Sequence, residues 1–273
     1  KAIDQYTLAL RWHPEAQTYA ERGAAYYARS QWNEALGDFN RALQAGPPPA
    51  LAAQLQSYIG ATRRQLGDRP GAIDSYQRAL SQAPDLASGL FGQGLLNLDA
   101  GNGALALALF DRAIALQANW SAAYRGRCLA KLIKGDVSSA AADCAQAVRL
   151  NPNDDRAYVA RARTALATSN FQAALSDLTL AISLSSGEPE PYYYRGLARR
   201  SLGDTPGTLQ DFNQAIQLDS NYAPAYLQRA ALHGTLGNPT AANDDYRRAA
   251  KLCLDRGRLD CYEAARAALG NAP

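Results

Sequence analysis

The sequence predicts an all-α solenoid of antiparallel helix pairs, and three observations predict it. A small residue recurs at Gly23, Gly60, Gly94, Cys128, Ala162, Gly196 and Ala230; the first step is 37 residues and every later step is 34. A fixed period in this range marks stacked units, because a single unit cannot bury its own apolar face. Each period holds two apolar stripes at helical spacing, one before and one after a turn pair. The turn pairs are Gly67-Asp68, Gly101-Asn102, Gly135-Asp136, Ser169-Asn170, Gly203-Asp204 and Gly237-Asn238. A glycine there takes the left-handed conformation that ends the first helix, and the Asp or Asn after it caps the second.

Other positions keep the same register. Twelve residues after the small site stand Ala35, Ala72, Ala106, Ala140, Ala174, Thr208 and Ala242. Sixteen after it stand Phe39, Tyr76, Phe110, Cys144, Leu178, Phe212 and Tyr246, and nineteen after it an alanine, from Ala42 to Ala249. Four before it stand Tyr19, Gln56, Leu90, Tyr124, Tyr158, Tyr192 and Tyr226; Pro47, Pro84 and Pro152 close three copies. This pattern resembles the tetratricopeptide repeat, a 34-residue helix–turn–helix unit. The resemblance implies a right-handed superhelix whose first helices line a concave inner surface. It covers nearly the whole chain. Residues 1–15 read as the second helix of a truncated leading unit. Seven units follow at about 16–49, 53–86, 87–120, 121–154, 155–188, 189–222 and 223–254. Residues 255–273 read as a capping helix and tail. The closing segment, AAKL…RG…YEAA…L, is similar to the ends of repeat arrays in photosynthetic bacteria, among them assembly factors.

The register also carries a charge correlation. Arg22, Arg127, Arg161, Arg195 and Arg229 precede the small site in five units. Asp38, Asp143, Asp177, Asp211 and Asp245 precede the large site in the same five; elsewhere Ile59 goes with Ser75 and Gln93 with Leu109. An Arg–Asp pair between the two helices of a unit follows, held by forked hydrogen bonds. Near Ala45 to Ala50 an insert, AGPPPA, accounts for the longer step. Its prolines are expected to exclude helix and stiffen an extended link.

Composition narrows the function. Net charge is +3 over 273 residues, too little to imply a nucleic-acid partner. No apolar run reaches the roughly 18 residues of a membrane span. The chain has no Met and opens inside a unit, which reads as a trimmed piece. Ile3, Tyr6 and Leu10 would then be partly uncovered, and weak self-association through that end is expected. The two His, His13 and His233, have no nucleophile or carboxylate that the register would bring to them. No phosphate-binding glycine loop is present, and the cysteine spacings fit no zinc motif. The expectation is a non-enzyme without cofactor or metal. Cys253 and Cys261 stand four residues either side of Gly257, where a helical hairpin would bring them to disulfide distance. A bond there would place the protein in an oxidising compartment such as a periplasm; otherwise the compartment stays open. Cys128 and Cys144 hold the small and large sites of one unit. They lie on facing helices, about one turn out of register, and read as buried free thiols or a second bond.

The functional signal is the other stripe of the first helices. A stripe that only met water would be polar. Here it reads Tyr27, Tyr58 and Arg64; Phe91, Leu95 and Leu98; Arg125, Leu129 and Leu132; Val159, Arg163 and Leu166; Tyr193, Leu197 and Arg200. Aromatic residues and arginine dominate binding hot spots. The stripe is either an open groove or surface that tight winding buries. The open reading predicts a protein-interaction scaffold, such as an assembly factor, gripping a peptide or helix that is apolar with scattered acids. The alternative is a targeting module of a longer enzyme or sensor, with RNA binding behind it. A lysine–asparagine clamp for terminal carboxylates, found in some tetratricopeptide repeat proteins, is not matched: the equivalent face carries Ala20, Ala24, Ser57 and Ala61.

Overall fold

The computed structural model describes residues 1–270, so the last three residues of the expected tail lie outside the described residues. Among the described residues the chain forms sixteen α-helices. Helices α1 (Ala2–Trp12) to α9 (Val137–Leu150) belong to one compact body, Lys1–Leu150. Helices α10 (Asp155–Ala167) to α16 (Leu259–Gly270) belong to another, Asn151–Pro273.

In the N-terminal body the pairs are α2 (Ala16–Tyr27) with α3 (Trp32–Gln44), α4 (Pro49–Gln65) with α5 (Arg69–Gln82), α6 (Ala87–Asp99) with α7 (Gly103–Leu116), and α8 (Ser121–Ile133) with α9. In the C-terminal body they are α10 with α11 (Phe171–Leu184), α12 (Pro189–Ser201) with α13 (Thr205–Leu218), and α14 (Ala223–Thr235) with α15 (Pro239–Asp255). First helices also touch one another: α2 meets α4, α4 meets α6, α6 meets α8, and α10 meets α12.

The turns follow their residues in part: Asn102 and Asn238 stand at the N-caps of α7 and α15 without the expected side-chain cap hydrogen bond. Gly203 has φ +81°, and the Asp204 carboxylate accepts the Gly207 N–H at 2.9 Å to start α13. Ser169 makes the same left-handed turn at φ +58° without being glycine, a conformation that is uncommon for a residue with a Cβ.

Packing follows the small and large sites. The Phe110 ring lies between Gly94 on its own partner helix and Gly126 on the next first helix. A Cβ at either glycine would come within 2.7 and 2.6 Å of that ring, so both must stay glycine for the helices to close. Phe39, Phe110 and Phe212 are fully buried, as are the alanines at the two alanine sites of their pairs, apart from Thr208, itself buried. The five Arg–Asp pairs all form. Arg195 Nε and Nη2 donate to Asp211 at 3.0 and 2.7 Å; Arg22 reaches Asp38 at 2.6 and 2.8 Å. Each arginine also lies over the tyrosine three residues before it: Tyr19, Tyr124, Tyr158, Tyr192 and Tyr226, at 5.1 to 5.9 Å from the ring centre. Tyrosine, arginine and aspartate thus form one network per pair. In α4–α5 Arg63 instead donates to Ser75 at 2.9 Å.

Two expectations need correction. The proline insert does not exclude helix throughout: Pro49 is the first residue of α4, where its fixed φ suits a helix start and its missing N–H leaves no helical bond unmade. The helix therefore has 17 residues against 13 for α6. Cys128 and Cys144 are not out of register either. They face each other as Gly23 faces Phe39, and are bonded with Cα atoms 5.4 Å apart. Cys253 is bonded to Cys261 across the α15–α16 hairpin, with Cα atoms 5.7 Å apart.

Candidate interaction surface

The first-helix stripe is neither bare nor uniformly buried. In the N-terminal body most of it is engaged by neighbouring helices. Tyr27 meets Trp32 at 4.9 Å and Tyr58 stacks on Phe39 at 5.3 Å. Phe91 lies between Phe110, at 5.7 Å, and Trp120, at 4.4 Å. Leu95 and Leu98 pack against the buried Ala106, Phe110 and Ala130. Arg64 is held by Asp99 through two hydrogen bonds of 2.8 and 3.1 Å. Burial is the largest single influence and works against its charge, yet the hydrogen bond to Asp99 and the attraction of its charge together outweigh it and the guanidinium pKa rises. Arg125, Leu129 and Leu132 are half-buried on α8.

In the C-terminal body the stripe is more polar. Val159 is buried at 5 % exposure and gives a ligand little surface, unlike the expectation that it forms part of an open wall. Its short side chain is covered, whereas the ring at the equivalent place is half-buried and keeps part of its surface. That ring is Tyr193 on α12, which touches Tyr194 at 5.1 Å, Tyr222 at 5.6 Å and Phe212 at 6.2 Å. Arg163 lies over Tyr194 at 5.3 Å and within 3.7 Å of Glu190. Leu166 and Leu197 are half-buried. Arg200 is exposed, and its Nη1 donates to the neutral Gln228 amide oxygen at 2.5 Å. Burial pushes the Tyr194 hydroxyl pKa up to about 12, with Arg163 opposing and Glu190 adding. Burial raises Tyr222 as well, followed by Glu190, and raises Tyr193 against the pull of Arg200.

Register alone did not point to Trp120 or Tyr222. Each precedes the next first helix and caps it, α8 for Trp120 and α14 for Tyr222. Each meets the ring 29 residues earlier, Phe91 or Tyr193. Among the described residues no group of three or more His, Cys, Asp or Glu could hold a metal, and no helix is long and apolar enough to cross a membrane.

Known proteins bear on this geometry. The tetratricopeptide repeat family matches residues 59–123 and 129–189. No curated protein matches the chain by sequence. Solved structures share the fold at low identity. A tetratricopeptide repeat protein from Parabacteroides merdae is 17% identical with a TM-score of 0.66, over 92% of this chain and 98% of that one. The Cut9–Hcn1 hetero-tetramer of the APC/C gives 16% and 0.79, over 96% of this chain and 52% of that one. A thermophilic protein of this type from Thermus thermophilus gives 19% and 0.59, over 66% and 98%. Residues 59–123 and 129–189 are thus tetratricopeptide repeats, and the solved structures share their fold along the chain.

Proposed function

We propose that the chain is a non-catalytic scaffold that binds a client protein's peptide segment on its first-helix face. The fold supports a protein–protein interaction scaffold in general. One observation supports the particular reading. On the C-terminal body a half-buried group of Tyr193, Tyr194 and Tyr222 lies beside an exposed arginine whose hydrogen-bond partner is a neutral amide. Tyrosine supplies wide amphipathic contact with little rotamer loss, and arginine suits a carboxylate through its fork. Arg64 already holds a carboxylate and Arg163 lies near one, so Arg200 is better suited than either to an acid from outside. The ligand is a segment with apolar residues next to Asp or Glu.

Selection of a displayed random peptide library on the whole chain tests this. Enrichment of peptides pairing an acid with an apolar or aromatic residue is expected. No enrichment over an unrelated control protein overturns the scaffold reading; enriched peptides without acids overturn only the role given to Arg200.

A further inference from the structure

The two disulfides sit in opposite surroundings. Cys128 and Cys144 are both fully buried between α8 and α9. Cys253 is 1 % exposed, but its partner Cys261 is half-buried near the start of α16. Thiol–disulfide exchange needs in-line access to one sulfur, so the terminal bond is open to attack and the inner one is not.

What the terminal bond holds is a helix that packs on one side only, through Cys261, Tyr262 and Ala265. Of α16's described side chains only Ala265 is fully buried; Tyr262 packs over Leu252, Cys253, Ala249 and Ala250. The helix has 12 residues, a length that is marginal in isolation even for good helix formers. Beneath it lies an apolar face: Tyr226 and Leu227 of α14 with Ala249, Ala250 and Leu252 of α15. Among the described residues α16 packs against that face. Gly257, at φ +66°, supplies the turn on which the helix would swing.

We propose that α16 is a redox-controlled cover, closed by the Cys253–Cys261 bond and opened by a dithiol reductant. A thiolate of the dithiol attacks Cys261 Sγ, the S–S bond breaks, and Cys253 leaves as a thiolate that takes up a proton. The second thiol of the reductant then displaces Cys261, which leaves as a thiol. The protein gains two electrons and two protons, and the dithiol is oxidised to its own disulfide. The opened state presents the α14–α15 face to solvent while the fully buried inner bond stays intact.

Hydrogen exchange on the whole chain, before and after treatment with dithiothreitol under native conditions, tests the cover. Mass mapping of alkylated cysteines should show Cys253 and Cys261 reduced and Cys128 and Cys144 still bonded. Amide protection across α16 should fall at least tenfold, with α8 and α9 unchanged. The Cys253→Ala, Cys261→Ser double variant should show the same loss without reductant, and protection in α12 and α13 reports that it is folded. Unchanged α16 protection in the reduced protein overturns the proposal. So does a terminal bond that resists dithiothreitol, or an inner bond that is reduced first.

Discussion

The pairs α6–α7 and α12–α13 occupy the same register, one in each body, and solve the same packing problem with different chemistry. Both set a glycine, Gly94 or Gly196, against a buried phenylalanine, Phe110 or Phe212. Both place an aromatic three residues before that glycine and meet it with another that caps the following helix: Phe91 with Trp120, Tyr193 with Tyr222. There they part. In α6–α7 Gln93 and Leu109 stand where α12–α13 has the Arg195–Asp211 pair. The one ring of α6, Phe91, carries no hydroxyl, and Arg64, on the neighbouring helix α4, is held by Asp99 of α6. The rings of α12 carry hydroxyls, and Arg200 on that helix meets a neutral amide. The backbone plan thus tolerates either an ion pair or uncharged residues at these places in the two helices of a pair. Function can vary on the rim without changing the core.

The sharpest way to break this comparison is at the ionic bond. Asp211 is 2 % exposed, accepts from Arg195 and is ion-paired with Arg199 at 3.0 Å. Asp211→Ala strands those cations and should cost about 3–5 kcal/mol, read by chemical denaturation. Leu109→Ala in the equivalent place removes only half-buried apolar surface and should cost about 1 kcal/mol. The Arg195→Gln, Asp211→Leu double variant should recover most of the loss, because it copies Gln93 and Leu109 of α6–α7. A double variant no more stable than Asp211→Ala would show that the two pairs are not interchangeable.

The next effect is on binding. With a peptide selected as above, Arg200→Ala should weaken affinity about tenfold, or about 1.4 kcal/mol, by titration calorimetry. Arg64→Ala should change it less, since Asp99 already occupies its Nε and Nη2 fork. Equal losses would erase the distinction between the two rims.

The core of this contrast was legible in the residues. Volume repeats with the period, so glycine against phenylalanine and the alanine sites could be read before any coordinates. The Arg–Asp pairs were legible because both partners vanish together at Ile59/Ser75 and Gln93/Leu109. The rim was less so. Trp120 and Tyr222 act from the residue before a helix, where helical periodicity says nothing about direction. Val159 shares its register position with Phe91 and Tyr193, but a short β-branched side chain there is covered whereas a ring keeps part of its surface. The Cys128–Cys144 bond was underweighted because the sites were placed a turn apart, although Gly23 and Phe39 show that residues 16 apart face each other. Pro49 reads as a breaker until the helix is seen to begin on it.

The smallest expected effect is a pH response that only the tyrosine rim can give. Tyr194 has its pKa pushed up to about 12 from an ordinary 10.0, first by burial. A raised value means that the fold favours the neutral phenol. Its contribution to stability is therefore complete below pH 10 and is lost as pH climbs from there through about 12, because the unfolded chain releases the proton first. Glu190 adds to the rise and Arg163, stacked on the ring, opposes it. The Phe91 site holds no group at that place to titrate. Phenolate absorbance, taken as the difference between the chain and its Tyr194→Phe variant, should stay flat near pH 10 and rise well above it. Over the same range the variant should lose less stability than the parent. A difference spectrum that rises as free tyrosine does would mean that water reaches the Tyr194 hydroxyl, and the rim of α12 would then be open down to its inner ring.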